Sequence, residues 1–246
     1  MDNDVRQKLL AYADLYETAS FIEGDPSWFM HQVQGDANRE ATAFMASALS
    51  YGSRKQFMPK VQQLLDWANG DIDGWLRSGT FKNHFVDGDS KCFYRLYNCH
   101  TMNRFLSAYS RLLTTHGTMG QYVASTASTG LEAVRAITSW FAAEGDGTVV
   151  PKDTTSACKR VCMFLRWMVR TNSPVDLGLW TFIGRDSLIM PLDTHVLQQA
   201  CSLGLLNSRT ATMHTAIKLT QTMAEVFPGD PLRGDFALFG YGVNND

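Results

Sequence analysis

The sequence contains no CxxC pair, and its five cysteines, Cys92, Cys99, Cys158, Cys162 and Cys201, are odd in number. A disulfide framework and a four-thiolate zinc site are both poorly served by that pattern. Reduced thiols and a cytoplasmic setting are expected. Long apolar runs are also missing. The longest weakly polar stretch, Ala41 to Leu49, contains Thr42 and Ser47 and is about half the length of a membrane span, so no membrane association is expected. The first 17 residues carry Asp2, Asp4, Arg6, Lys8, Asp14 and Glu17, so no secretory leader is expected there. Excess charge of one sign is absent: the net charge is −2, so the chain as a whole has no electrostatic signature for nucleic acid. The six histidines are scattered and form no metal pattern, and no metal or cofactor is expected. No repeat and no low-complexity tract is present.

What remains is a chain of 246 residues, 45% hydrophobic and 19% charged. It is long enough to bury a real core and too apolar to be disordered. Helical periodicity dominates. Residues 54–68 place Phe57, Val61, Leu64, Leu65 and Ala68 on one face, and Asn69-Gly70 ends the run. Residues 90–115 place Leu96, Cys99, Met102, Phe105, Leu106, Tyr109 and Leu113 at steps of three and four. The same pattern fills 129–144 and 210–227, the latter stopped by Pro228. Ala41 to Tyr51 is apolar nearly all round and predicts a buried central helix. Asp230-Pro231 predicts the start of the last helix. Only Val149-Val150 and Leu177 to Phe182 are candidate strands. The fold class is all-α, with about ten helices.

Two segments carry the chemical information. Residues 156–171, SACKRVCMFLRWMVRT, form an amphipathic helix after the Gly- and Pro-containing break EGDGTVVPKDTT at 144–155. Thr154, Thr155 or Ser156 is suited to cap it. Lys159, Arg166 and Arg170 share a face, and with Arg160 they form a basic stripe suited either to a phosphate or to plain solvation. In Pro191-Leu-Asp-Thr-His-Val196, Asp193 precedes an apolar-periodic run and is a good helix N-cap. His195 stands beside it.

These segments resemble the catalytic region of helix-hairpin-helix DNA glycosylases. PLDTHV, followed by a helix and LGLL, is similar to the element carrying that superfamily's catalytic Asp. The chain as a whole resembles an uncharacterised bacterial family marked by Cys158 to Arg170, Pro191 to His195 and Asp235 to Val243, by FIEGDPSWF near residue 21 and by ALSYGSRKQ near residue 48. The resemblance implies two helical lobes with a cleft between them: residues 40–150 as one lobe, and residues 1–39 with 151–246 as the other. It implies Lys159 as nucleophile and Asp193 as its partner, 34 residues apart. That separation is closest to the archaeal 8-oxoguanine (GO) glycosylase branch, whose hairpin is modified. Here the Leu-Pro-Gly-x-Gly hairpin is replaced by the 144–155 loop. The iron–sulfur cysteines of some relatives are missing, since only Cys201 follows Asp193. Leu49 stands where relatives carry an intercalating glutamine. Asp235 and Phe239, four apart, match an Asp and an aromatic that read and stack on the base in the GO branch. Arg160, Arg166 and His195 complete the expected substrate contacts.

The function so implied is base-excision repair of an oxidised purine, with DNA as partner. A lysine amine attacks the sugar C1′, forms an imine and permits strand cleavage by β-elimination. An ordinary lysine, of pKa about 10.4, is almost wholly protonated at neutral pH, so the amine and carboxylate must share a proton or the departing base must accept one. Two other readings compete. One is a non-catalytic helical binder of nucleic acid on the same scaffold. The other is a thiol hydrolase built on Cys158 and His195, although Cys158 and Cys162 at i and i+4 look like apolar fillers.

Overall fold

A computed structural model describes residues 1–208 and 210–245 of the chain. In chain order the α-helices are α1 (Asn3–Tyr16), α2 (Trp28–His31), α3 (Asp36–Leu49), α4 (Arg54–Trp67), α5 (Ile72–Ser78), α6 (Cys99–His116), α7 (Met119–Ala124), α8 (Gly130–Ala143), α9 (Lys159–Val169), α10 (Thr194–Ser202), α11 (Met213–Val226) and α12 (Arg233–Asn245). The one sheet among the described residues is an antiparallel hairpin of β1 (Cys92–Tyr94) and β2 (Tyr97–Asn98). The fold is therefore all-α in class. The chain divides into two compact units. One comprises Met1–Glu23, Ser128–Val134 and Thr154–Asp246; the other comprises Gly24–Ala127 and Arg135–Asp153.

The second unit is organised by aromatic packing around α3. Every residue of that helix from Glu40 to Leu49 is buried, as the all-round apolar pattern predicts, but the helix stops at Leu49 and Tyr51, at the end of the expected run, is exposed. Phe44 meets Tyr109 at 4.9 Å and Phe141 at 5.3 Å between ring centroids, and Phe105 lies 5.6 Å from Phe141. Such offset and edge contacts add to area burial. The single carboxylate on the buried part of α3 is satisfied: Glu40 accepts the Met119 and Gly120 amides at 2.7 and 3.1 Å, at the start of α7. On α4, Phe57, Val61, Leu64 and Leu65 are buried together. Asn69 and Gly70 then take φ of 50° and 78°, the left-handed turn that ends a helix.

Three expectations need correction here. Residues 92–98 are a hairpin and not the start of α6, which begins at Cys99. Leu96 sits in the hairpin turn, 73% exposed, not on the apolar face with Cys99 and Met102. The break at 144–155 has no strand at Val149-Val150; instead the buried Asp146 carboxylate accepts the amides of Thr148, Val149 and Val150, each at 3.2 Å. Nor is Leu177 to Phe182 a strand.

The first unit is held by α1 against α12. Tyr16 lies 5.6 Å from Phe239, and Tyr12 lies 6.3 Å from Tyr241. The approach needs Gly240, because a β-carbon there would fall 2.3 Å from the Tyr16 ring. The last helix starts at Arg233 rather than at Asp230-Pro231. Asp230 is buried and its carboxylate is used elsewhere, as the next section describes.

Candidate functional site

The site lies in the first unit, where α9 begins. Cys158 occupies the N-cap position with φ 47° and ψ 38°, a left-handed conformation, and makes no side-chain cap bond. The N-cap position therefore falls at Cys158 and not at Thr154, Thr155 or Ser156, where their sequence suggests it. Ser156 instead forms a bridge with Thr212, which ties the approach to α9 to the approach to α11. The turn at Cys158 makes Lys159 the first helical residue.

Asp193 is the N-cap of α10, as its position predicts. Its Oδ1 accepts the Val196 amide at 2.9 Å. Its Oδ2 lies 3.4 Å from Lys159 Nζ. The two residues, 34 apart in sequence, therefore meet. Both side chains are about one-third exposed, 33% and 35%.

Behind this pair the basic face of α9 turns inward. Arg166 and Arg170 share a face with Lys159, as their spacing of seven and four dictates. They are nevertheless buried, with side chains 4% and 1% exposed, so the expected stripe facing solvent or phosphate is limited to its first turn. Arg166 pairs with Asp176 at 3.1 Å and with Asp235. Arg170 pairs with Asp230 at 2.8 Å, with Glu17 at 2.6 Å and with Asp176. Arg233 continues the network through Glu17 at 2.8 Å and Asp14 at 2.6 Å. Burial opposes the charge on Arg170, but Asp230, Asp176 and Glu17 outweigh it and hold the guanidinium well above its ordinary pKa. Both guanidinium groups also lie over the Phe236 ring, at 4.6 and 5.5 Å from its centre.

Asp235 joins the network to the site. Burial pushes its carboxyl above the ordinary aspartate value, Arg166 and Lys159 pull it back, and Asp193 pushes in the same direction as burial. Lys159, Asp193, Asp235 and Arg166 thus form one electrostatic cluster. Phe239, one turn beyond Asp235 on α12, is half-buried against Tyr16 and Phe21, the latter 4.9 Å away. Arg160 is half-buried on the first turn of α9, and His195 is exposed on the first turn of α10. Cys158 and Cys162 are both buried. The Cys158 thiol is 3.5 Å from the Ser156 carbonyl, and burial holds the Cys162 thiol far above the usual range. This is the setting of structural thiols. Among the described residues no group of three or more His, Cys, Asp or Glu side chains is arranged to hold a metal ion, and no helix is long and apolar enough to cross a membrane.

Sequence reasoning missed Glu17, Asp176 and Asp230 as partners of the α9 arginines. Their separations from Arg170, 153, 6 and 60 residues, have no local periodicity that would flag them.

The chain belongs to the family described as protein of unknown function (DUF2400), whose model matches residues 25–244. A search of the curated proteins and a search of the solved structures each gave no match.

Proposed function

We propose that this protein excises an oxidised purine from DNA and then nicks the strand, with Lys159 as nucleophile and Asp193 as its acid–base partner. The observation that carries this reading is the approach of Lys159 Nζ to Asp193 Oδ2 at 3.4 Å, with both side chains partly open to solvent. Asp193 is held still by its cap bond to Val196, so the amine faces a carboxylate of fixed orientation.

The neutral amine attacks the sugar C1′, a C–N bond forms, and the glycosidic bond breaks with its electron pair leaving on the base. The amine proton passes to Asp193 or to the departing base. The sugar ring then opens: the C1′–O4′ bond breaks, O4′ takes up a proton, and the nitrogen gives up its remaining excess proton as the imine forms. Removal of a C2′ proton pushes electrons toward the imine and expels the 3′ phosphate. The anionic carboxylate also stabilises positive charge developing at C1′. Asp235 and Arg166 act behind this pair. Arg166 is too deeply buried to be a first contact for a phosphate, and its part is to orient Asp235. Phe239 offers a ring one turn from Asp235 for a base taken out of the stack.

The test is borohydride trapping with oligonucleotides that carry 8-oxoguanine or an abasic site. Reduction of the imine should leave a stable protein–DNA adduct. Lys159→Gln should form none, and Asp193→Asn, which preserves the cap, should lower trapping by at least about tenfold with little change in melting temperature. Absence of an adduct from the wild-type protein on both substrates, with DNA still bound, overturns the lyase reading and leaves a helical binder of nucleic acid.

A further inference from the structure

The residue just before Lys159 breaks a local rule. Four non-glycine residues in the described chain take positive φ: Asn69, Arg95, Cys158 and Asn172. Asparagine adopts this conformation readily, and Arg95 stands in an exposed hairpin turn. Cys158, at φ 47° and ψ 38°, is the one of the four that is buried, 3% exposed. A β-carbon makes this conformation unfavourable, and glycine would take it freely. Such a backbone persists only where its surroundings hold it, and it concentrates at functional sites.

The surroundings of Cys158 do hold it. Its amide donates to Ser156 Oγ at 3.4 Å, and its thiol lies 3.5 Å from the Ser156 carbonyl. Its carbonyl accepts the Cys162 amide at 3.0 Å, the first bond of α9. The Cys162 thiol in turn lies 3.5 Å from the Ala157 carbonyl. Both ends of this turn are fastened. Upstream, Ser156 bridges to Thr212, the N-cap of α11. Downstream, Arg166 and Arg170 tie α9 to Asp176, Asp230 and Asp235. The change of direction between the two anchors is therefore confined to Ala157 and Cys158. Helical side chains lean toward the N-terminus, so the side chain of Lys159, the first helical residue, reaches past the start of α9. There its Nζ meets Asp193 Oδ2, at the start of α10.

We infer that Cys158 is a positioning residue: its left-handed turn, and not its sulfur, aims Lys159 at Asp193. A β-branched residue is excluded from this conformation, so at position 158 it must move the start of α9, and Lys159 with it. Glycine adopts the conformation without strain. Valine and glycine both remove the sulfur, so comparing them separates the backbone from the thiol. The inference rests on the reading of Lys159 and Asp193 as the reactive pair, and it names the residue that sets their approach.

The test compares the full-length wild type, Cys158→Gly, Cys158→Ala and Cys158→Val below their melting temperatures. The first measurement is the single-turnover rate of borohydride trapping on an abasic oligonucleotide. Cys158→Val should fall by about tenfold or more, and Cys158→Gly, which restores the turn, should regain most of that loss. Cys158→Ala should lie between them, and it replaces Cys158→Val in the comparison if that variant does not fold. The second measurement needs no lyase: acetylation of Lys159 by acetic anhydride, read by mass spectrometry, with Asp193→Asn as the reference for an amine without its carboxylate. Cys158→Val should label like Asp193→Asn, about twofold or more faster than wild type, and Cys158→Gly like wild type. Equal changes in Cys158→Gly and Cys158→Val assign the effect to the thiol and overturn the positioning role. Wild-type trapping and labelling in all three variants, with only a lower melting temperature, make Cys158 a packing residue and overturn it as well. Absence of any wild-type adduct removes the lyase reading; labelling that still separates Cys158→Val from Cys158→Gly keeps the positioning role, and labelling equal in the two overturns it.

Discussion

The helices α3 and α9 are both buried along almost their whole lengths, yet they are buried by opposite means. On α3 the residues from Ala41 to Leu49 carry no charge, and the helix is covered by rings: Phe44 alone contacts Phe105, Tyr109 and Phe141. On α9 the buried side chains include Arg166 and, at its C-cap, Arg170, and that face of the helix is covered by carboxylates. The first solution is tolerant, because apolar packing degrades in proportion to what is removed. The second is brittle, because each buried cation has committed several anions whose desolvation is already incurred. The Lys159–Asp193 pair sits at the start of the brittle helix, where Lys159 emerges from the same face as the two arginines.

Three substitutions sharpen that contrast. The largest effect is expected from Arg170→Leu, which leaves Glu17, Asp176 and Asp230 facing one another without their shared cation. It should cost about 3–5 kcal/mol in urea unfolding, or prevent folding; a loss below about 1 kcal/mol would show the network to be incidental. Phe44→Leu on α3 keeps an apolar side chain of similar reach and should cost about 1–2 kcal/mol, with the unfolding slope unchanged. The smallest effect is a pH dependence. Burial holds the Asp235 carboxyl above the ordinary 3.8, so the folded state binds this proton more tightly than the unfolded chain. Its contribution therefore makes stability fall as pH rises from 3.8 through the raised folded value. Asp235→Asn removes that titration, and its stability measured across the same window should be flatter than the wild type's.

The same contrast explains what the sequence made legible. Burial of α3 follows from composition alone, because nine consecutive residues without charge leave no polar face. The helix at α9 is equally plain from periodicity, but the direction of its basic face is not. Arginines at i and i+4 look alike whether they meet water or acids from distant segments, and here the acids are 6 to 153 residues away from Arg170. The hairpin at 92–98 was hidden for a different reason: Leu96, Cys99 and Met102 continue a three-residue step straight through the turn, and only the exposure of Leu96 separates them. Asp193 was legible as a helix cap from its position. Its meeting with Lys159 was not derivable from local pattern and came from the resemblance of PLDTHV to a known catalytic element.

The two oxygens of Asp193 have separate employers. One is occupied by the Val196 amide and the other points to Lys159, so the group cannot rotate to exchange them without undoing the first turn of α10. The oxygen that faces the amine is therefore always the same one, on a side chain too short to wander. Glutamate, one methylene longer, has to choose between starting the helix and reaching the lysine. One residue thus both starts the helix and pairs with the lysine, and the helix itself is the clamp that keeps the carboxylate aimed.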